Sequence, residues 1–509
     1  MKADGNQNNH DSLFIRTVRS NTFYILGGKI ITPFVTFLTT IYIIRKISVT
    51  DYGIYNVLLA IMAYVGLVSS AGLLNIFQRF IPEFHQNREY GHVRKLTWQG
   101  TLFRLVASGI LIGLVFLFSG AESRLFNISD YITYIQIFAL GILFFLESQL
   151  VGLALISTFL HKYFVFAQIS YTGVRALLLL ALLESGMALT GLLWAETAGF
   201  AFLLGAQAFY FYRYYWRVHP EKQQGRFPYR RLLRYGGFSY FNEVGEQILD
   251  VSTDFFVISA YLGARQVGLY AFANETIRLL SRWMPHRLLM DVITPVFFSR
   301  FAESGDPGDL EKMFRLLVKL IAFMFFPVVT GLFILGGPMI RFLFDAKYLD
   351  ALPVLWLVAV FSAINAFAYP IGLMVQAVEK VEIHLMSKLF SIYNLAGDIL
   401  VVRPYGITGI AVVTGSAVLF KNIFTFFMIR RHLQFRFPVR SLITISVNSV
   451  LTALVFWLLK DMVSGLAGLI IVTMLGGSFY LIASYLNRGF SPEEHDMINR
   501  ILKKKVFHF

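Results

Sequence analysis

The chain has 509 residues, of which 56% are hydrophobic and 15% are charged, against about 25% charged in an average soluble protein. This balance excludes a soluble globular protein and predicts an all-α polytopic membrane protein. The absence of cysteine excludes a disulfide framework, thiolate metal sites and cysteine nucleophiles. The net charge of +15 is explained by basic loops on one side of a membrane rather than by nucleic-acid binding.

Apolar segments of membrane-spanning length recur along the whole chain. About fourteen of them reach the roughly 17–25 residues that a helix needs to cross a bilayer. The first, over 21–44, follows a polar leader without a small-residue cleavage site, so it is predicted to be a membrane helix rather than a signal peptide. Most loop Lys and Arg residues fall on the side that holds both termini, which places the termini in the cytoplasm.

The order of these segments predicts six consecutive parts. They are a cytoplasmic N-terminal tail (1–20), an N-terminal lobe of helices one to six (21–212), a basic cytoplasmic linker (213–233), a C-terminal lobe of helices seven to twelve (234–431), helices thirteen and fourteen (439–486) and a basic cytoplasmic tail (487–509). The tail begins Ser-Pro-Glu-Glu, which is typical of a capped helix. It suits either an amphipathic helix on the anionic leaflet or a solubilising tail.

The two lobes resemble each other in sequence. DYGIY at 51–55 matches QVGLY at 266–270, and three further short motifs match in the same order at nearly the same offset. The same offset aligns Arg104 with Lys319. Because each lobe has an even number of spans, the pattern indicates a parallel duplication about an axis along the membrane normal.

Two neighbouring predicted helices carry charges at spacings of three and four residues, which place them on one helix face. On the helix over 234–262 these are Glu243, Glu246, Asp250 and Asp254. On the helix over 266–299 they are Glu275, Arg278, Arg282 and His286. Charges at bilayer depth cost about 2.5–3.5 kcal/mol each on insertion scales, so we expect them to face partners or a watery cavity.

Folding these two helices back on each other brings Asp250 level with Arg278 and Glu246 level with Arg282. Two interpretations stay open. Either these are salt bridges that tie the helices together, or the arginines bind an anionic headgroup and the acids tune a cavity. Asp254 and Glu275 fall at one further level, where two close carboxylates could share a proton or hold a sodium ion. Acids that face a watery vestibule are the alternative for that pair.

Three further cations lie within predicted spans and are candidates for the same anion site: Lys29, Arg104 and Lys319. The alternative for each is a side chain that snorkels to the membrane edge.

The motifs of several enzyme classes are absent from the sequence, including GxxxxGK[ST], HExxH and GxSxG. No loop is long enough to house a glycosyltransferase or polymerase active site. The chain is therefore predicted to be a transporter rather than an enzyme.

The start of the second span, the stretch SSAGLLNIFQRFIPE at 69–83 and two six-helix lobes with two trailing helices resemble one family. It is the polysaccharide-exporter and oligosaccharide-flippase branch of the multidrug/oligosaccharidyl-lipid/polysaccharide (MOP) superfamily. The resemblance implies a flippase that moves an undecaprenyl-pyrophosphate-linked repeat unit across the bacterial cytoplasmic membrane by alternating access. It also implies that Lys29, Arg278 and Arg282 face the cavity and bind the pyrophosphate.

The partners expected from this resemblance are the lipid-linked sugar, membrane lipids, a polysaccharide polymerase and glycosyltransferases, with no nucleic acid and a monomeric transporter. No cofactor is expected, and a proton or a sodium ion is the candidate coupling ion. The alternatives are a cation-coupled multidrug antiporter of the same superfamily, a lipid II flippase and a non-transporting scaffold for glycan enzymes.

Overall fold

The computed structural model describes residues 31–125, 131–219, 225–284 and 307–487, with isolated positions beside them at 28, 490, 491, 493, 494 and 499. Every regular element in these ranges is a helix, which confirms the predicted all-α class. The chain divides into two compact units, residues 1–264 and 265–509. The predicted division into two lobes and a linker at 213–233 stays a prediction.

Nine helices are described in the first unit. They are α1 (31–46), α2 (Val49–Ser70), α3 (Leu73–Gln86), α4 (Tyr90–Leu125), α5 (Ile132–Ser157), α6 (His161–Glu184), α7 (Ala188–Phe211), α8 (Tyr229–Ile248) and α9 (Val251–Leu262). A short π-helical turn, Tyr212–Trp216, continues α7.

Eight helices are described in the second unit, the first of which begins at the boundary. They are α10 (Ala264–Trp283), α11 (Pro307–Met339), α12 (Leu352–Ala366), α13 (Ala368–Ala377), α14 (Val381–Ser387), α15 (Phe390–Arg430), α16 (Val439–Leu459) and α17 (Leu466–Leu486). A π-helical turn, Ile340–Phe344, and a 3-10 helix, Ala346–Ala351, join α11 to α12.

Ten of the described helical stretches are long and apolar enough to cross a membrane. The predicted count of about fourteen is consistent with this number, because one stretch, Leu385–Arg430, contains two predicted spans. Those spans meet at Gly406, where a φ of 59° kinks α15. Large apolar side chains such as Leu117 and Leu400 are exposed, as expected of a surface that meets lipid.

A glycine contact fixes how α8 packs in the first unit. The helix α2 ends at Ser70 because Ala71 and Gly72 both adopt left-handed backbone conformations, with φ of 44° and 80°. A Cβ atom on Gly72 would lie 2.2 Å from the carbonyl oxygen of Gly236 on α8. The turn after α2 and the backbone of α8 can therefore meet only through glycine at position 72.

Each unit has an aromatic-rich core of its own. In the first unit, Phe77 and Phe84 of α3 pack with Leu150 of α5 and with Tyr215. In the second unit, the corresponding cluster includes Phe314 of α11, Met374 of α13 and Ile429 of α15. These cores hold the helices on which the charged residues described next are positioned.

Candidate functional site

The expected uninterrupted helix over 234–262 is wrong: it is two helices, α8 and α9, with a break at Leu249 and Asp250. Asp250 has an extended backbone and caps α9, accepting a hydrogen bond of 2.9 Å from the Ser252 backbone N–H. Hydropathy and spacing do not reveal such a break, because a carboxylate can serve as a helix cap as readily as a surface charge. The four acids therefore do not form one stripe on one helix.

The four acids of this segment have different surroundings. Glu243 is half-buried and accepts a hydrogen bond from the side-chain amide of Asn75 on α3. Glu246 is exposed and receives a 3.4 Å hydrogen bond from Asn242. Asp254 is fully buried on α9, a helix that packs against α2. Their predicted role in gating or ion coupling stays a prediction.

Arg104 is the centre of a buried polar cluster in the first unit. Its side chain, on α4, is almost fully buried and lies in the protein interior. The guanidinium donates 2.8 Å hydrogen bonds to the backbone carbonyl of Leu146 and to the side-chain oxygen of Gln149. It also interacts electrostatically with Glu147 and Glu243. Neither carboxylate oxygen of the buried Glu147 accepts a hydrogen bond from any residue that the structure describes.

Arg278 is positioned on α10 by an acid of the same helix. Its Nε donates a 2.5 Å hydrogen bond to Glu275, whose side chain is buried, while 59% of the Arg278 side chain is exposed. One edge of the guanidinium is thus held by Glu275 while more than half of the side chain is exposed. A guanidinium is well suited to bind an oxyanion. Arg282 follows one turn later and is half-buried. The predicted pairing of Arg278 with Asp250, and of Arg282 with Glu246, stays a prediction.

Two predicted site residues, Lys29 and His286, lie outside the described residues. Lys319, on α11, is buried, and its ammonium donates 2.8 Å hydrogen bonds to both oxygens of Glu494. Glu494 also accepts from the backbone N–H of Ser491, whose hydroxyl accepts from the backbone N–H of Glu494. This reciprocal pair confirms the Ser-x-x-Glu cap predicted for the tail.

A second buried ion pair was missed by reasoning from the sequence. Arg175 on α6 donates from Nε to Glu196 on α7 over 2.9 Å, and the Tyr55 hydroxyl donates to the same carboxylate over 2.8 Å. The two charges stand about equally far from the tight turn at Gly186, so they fall level when the helices fold back. That equal distance from a turn is the signal that could have found them.

A buried amide and a buried carboxylate also stand one turn apart on α15. Asn394 and Asp398 are both fully buried. Neither the amide nitrogen nor the amide oxygen of the Asn394 side chain forms a hydrogen bond with any residue within the described ranges.

A family model described as "Polysaccharide biosynthesis protein" matches residues 43–353, more than half of the chain. The chain belongs to this family. It is 24% identical to the succinoglycan biosynthesis transport protein ExoT of Rhizobium meliloti over 355 residues, which cover 69% of this chain and 67% of ExoT.

Two other relatives in this group match over shorter lengths. The teichuronic acid biosynthesis protein TuaB of Bacillus subtilis is 23% identical over 31% of this chain. The lipopolysaccharide biosynthesis protein WzxC of Escherichia coli is 27% identical over 28% of this chain. The chain spans about a third of the length of these two relatives, 33% and 29%.

Solved structures show the fold. The lipid II flippase MurJ, in an inward closed conformation, superposes with a TM-score of 0.69 at 16% identity, over 95% of this chain and 99% of MurJ. An inward-facing multidrug resistance MATE transporter of the MOP superfamily gives 0.59 at 13% identity, over 81% and 97%. The expected likeness to polysaccharide biosynthesis proteins is confirmed by the family model. The chain is a multi-pass membrane protein with the fold of these two transporters.

Proposed function

We propose that this chain is a flippase for an undecaprenyl-pyrophosphate-linked oligosaccharide repeat unit in the bacterial cytoplasmic membrane. It would supply surface polysaccharide synthesis, as O-antigen, capsule or exopolysaccharide, by alternating access. Membership of the polysaccharide biosynthesis family and the transporter fold both support a transporter rather than an enzyme. Both termini lie in the cytoplasm in this proposal, and the protein works as a monomer beside a polymerase and glycosyltransferases.

The observation that carries the proposal is the environment of the Arg278 side chain. Its guanidinium is held by the buried carboxylate of Glu275, and 59% of its side chain is exposed. A planar guanidinium that is already held in place loses less side-chain freedom when it binds pyrophosphate oxygens. In this proposal Arg278 binds the pyrophosphate together with Arg282 and Lys29, and the prenyl chain stays in lipid.

The remaining predicted cations receive a supporting role. Arg104 and Lys319 are buried with partners of their own, so in this proposal they hold helices in place and bind substrate only if those partners are released. A proton or a sodium ion would couple transport through Glu243, Glu246, Asp250, Asp254 and Glu275.

Arg265 offers a matched control for Arg278. It lies on the same helix, its side chain is 55% exposed, and it donates a 2.8 Å hydrogen bond to Asp350. In a deletion strain complemented with Arg278→Gln, we expect lipid-linked repeat units to accumulate on the cytoplasmic leaflet and surface polymer to fall about tenfold. Arg265→Gln should restore both to wild-type levels.

The proposal fails if the deletion strain keeps normal polymer and normal lipid-linked intermediates. If Arg278→Ala combined with Arg282→Ala retains full function, a non-transporting scaffold is favoured instead.

The second candidate is a cation-coupled multidrug antiporter, which the likeness of fold to the MATE transporter favours. In that case the acids would bind organic cations. Drug sensitivity of the deletion strain, with its surface glycan intact, would distinguish this function from the first.

A further inference from the structure

A basic pocket lies between α3 and the beginning of α8, in the first unit. It has a volume of about 1050 Å³ and is lined by four arginines: Arg79, Arg230, Arg231 and Arg234. Three of them come from the first turns of α8, and Arg79 comes from α3. The predicted orientation of the chain places this pocket on the cytoplasmic side.

The charge of this pocket is not balanced. Glu83 accepts hydrogen bonds from Arg79, at 3.0 Å, and from Arg231, at 2.6 and 3.1 Å. Arg230 and Arg234 are exposed and make no ion pair with any residue in the described part of the chain. One carboxylate thus stands among four guanidinium groups, and two of these remain available to an anion.

Aromatic contacts hold the pocket in shape. The Arg231 guanidinium lies over the Phe80 ring, 5.0 Å from its centroid. Phe80 in turn meets Tyr235 edge-on at 5.4 Å between centroids. Because Glu83 and Phe80 together hold Arg231, this guanidinium loses little further side-chain freedom when an anion binds beside it.

An apolar surface adjoins the charged one on the same helix. Leu233, Phe238 and Phe241 are each at least 70% exposed on α8. A helix with arginines beside exposed leucine and phenylalanine is typical of the boundary between lipid headgroups and acyl chains. A ligand that fits both surfaces has an anionic phosphate head and a long hydrocarbon tail.

We propose that this pocket binds the phosphate headgroup of an anionic membrane lipid at the cytoplasmic surface, with the lipid tail along Leu233 and Phe238. Arg230 and Arg234 contact the phosphate, and the Glu83-bound Arg231 orients it. A free phosphate shares this head chemistry but has no tail, so it gains nothing from the apolar surface.

The test uses the full chain, purified in a neutral maltoside detergent, with the variant Arg230→Gln/Arg234→Gln. The control is Arg213→Gln/Arg217→Gln, which makes the same charge change at the same spacing on exposed residues outside the pocket. Binding is measured by native mass spectrometry with three probes: dioctanoyl phosphatidylglycerol, dioctanoyl phosphatidylcholine and inorganic phosphate. Thermal unfolding reports whether each variant is folded.

We expect the wild type to prefer the phosphatidylglycerol to both other probes, and the pocket variant to lose about tenfold in its affinity. The control variant should stay within about twofold of the wild type. If the double variant does not fold, each single variant should lose about threefold.

Three results would overturn the proposal. An equal loss of affinity in the pocket and control variants would mean that the lipid is attracted by the overall positive charge of the protein rather than by this pocket. An unchanged affinity in the pocket variant would place the lipid elsewhere. Inorganic phosphate bound as tightly as phosphatidylglycerol would assign the pocket to a free anion. Because export is not measured, each of these outcomes is separate from failure of the flippase proposal.

Discussion

Arg104 on α4 and Lys319 on α11 are aligned by the sequence repeat, and both are buried, yet they are stabilised in different ways. Arg104 donates to a backbone carbonyl and to the neutral side chain of Gln149. Lys319 donates to both oxygens of one carboxylate, Glu494. A guanidinium spreads its charge over several donors, so neutral acceptors can satisfy it, whereas an ammonium concentrates its charge and favours a carboxylate.

The acids beside these two cations differ as well. In the first unit Glu147 is buried next to Arg104 and interacts with it without a direct hydrogen bond. In the second unit the acid comes from a segment 175 residues further along the chain. The hydrogen bonds made at the same position in the repeat therefore reach α5 in one unit and a distant segment in the other.

The largest expected effect is that of Arg104→Met. It leaves the carboxylate of Glu147 buried without its neighbouring cation, so we expect the free energy of unfolding to fall by about 3–5 kcal/mol. Denaturant titration in detergent micelles measures this change. Adding Glu147→Gln should recover part of the loss, and a double variant no more stable than the single one would show that Glu147 does not depend on Arg104.

Lys319→Met should have a smaller effect, of about 1.5–3 kcal/mol, because Glu494 is partly exposed and can be solvated once released. We also expect faster cleavage of the tail near residue 490 by added protease. Glu494→Gln is the matched variant and should accelerate the same cleavage. Tail cleavage unchanged in both variants would contradict a role of this pair in holding the segment.

The helix breaks of the two units offer a second contrast. At Gly406 the break depends on a backbone conformation that other residues rarely adopt, so Gly406→Ala should cost about 1–2 kcal/mol in unfolding free energy. At Asp250 the break depends on a side-chain cap, so Asp250→Ala should cost about 1 kcal/mol and Asp250→Asn less. Asp250→Asn as costly as Asp250→Ala would show that charge, rather than capping, matters there.

The smallest expected effect is a dependence of stability on pH, and it involves only the first unit. His85, outside the predicted spans, packs against Tyr215 and His219, and burial and then the neighbouring His219 lower its pKa. The unfolded chain therefore binds a proton more readily, and stability should be lost as pH falls below about 6.5. Because the ring is half-buried, we expect a loss of less than about 1 kcal/mol by pH 5.5.

Thermal unfolding at pH 7.5 and 5.5 measures this loss, with His85→Gln expected to reduce it. His432→Gln, at an exposed histidine of the second unit, is the control. An equal pH response in wild type and His85→Gln would assign the effect to other groups.

The sequence predicted the fold class and the family because hydropathy and segment order are properties of whole helices. The sequence could not place the helix break at Asp250, because a side-chain cap replaces a few backbone hydrogen bonds without changing the hydropathy of the segment. It also left Arg175 and Glu196 unpaired, although their equal distance from the turn between α6 and α7 was a usable signal. The partner of Lys319 was beyond prediction because 175 residues separate the two charges.

The bond between Lys319 and Glu494 has a consequence for how the protein is made. The ribosome must add 175 more residues after Lys319 before its carboxylate exists. The lysine is therefore made long before its partner, and a charge within a span costs at most about 2.5–3.5 kcal/mol, the value at the helix centre. The long apolar stretch that follows Lys319 on α11 must hold this helix in the membrane until the late segment arrives to neutralise the charge.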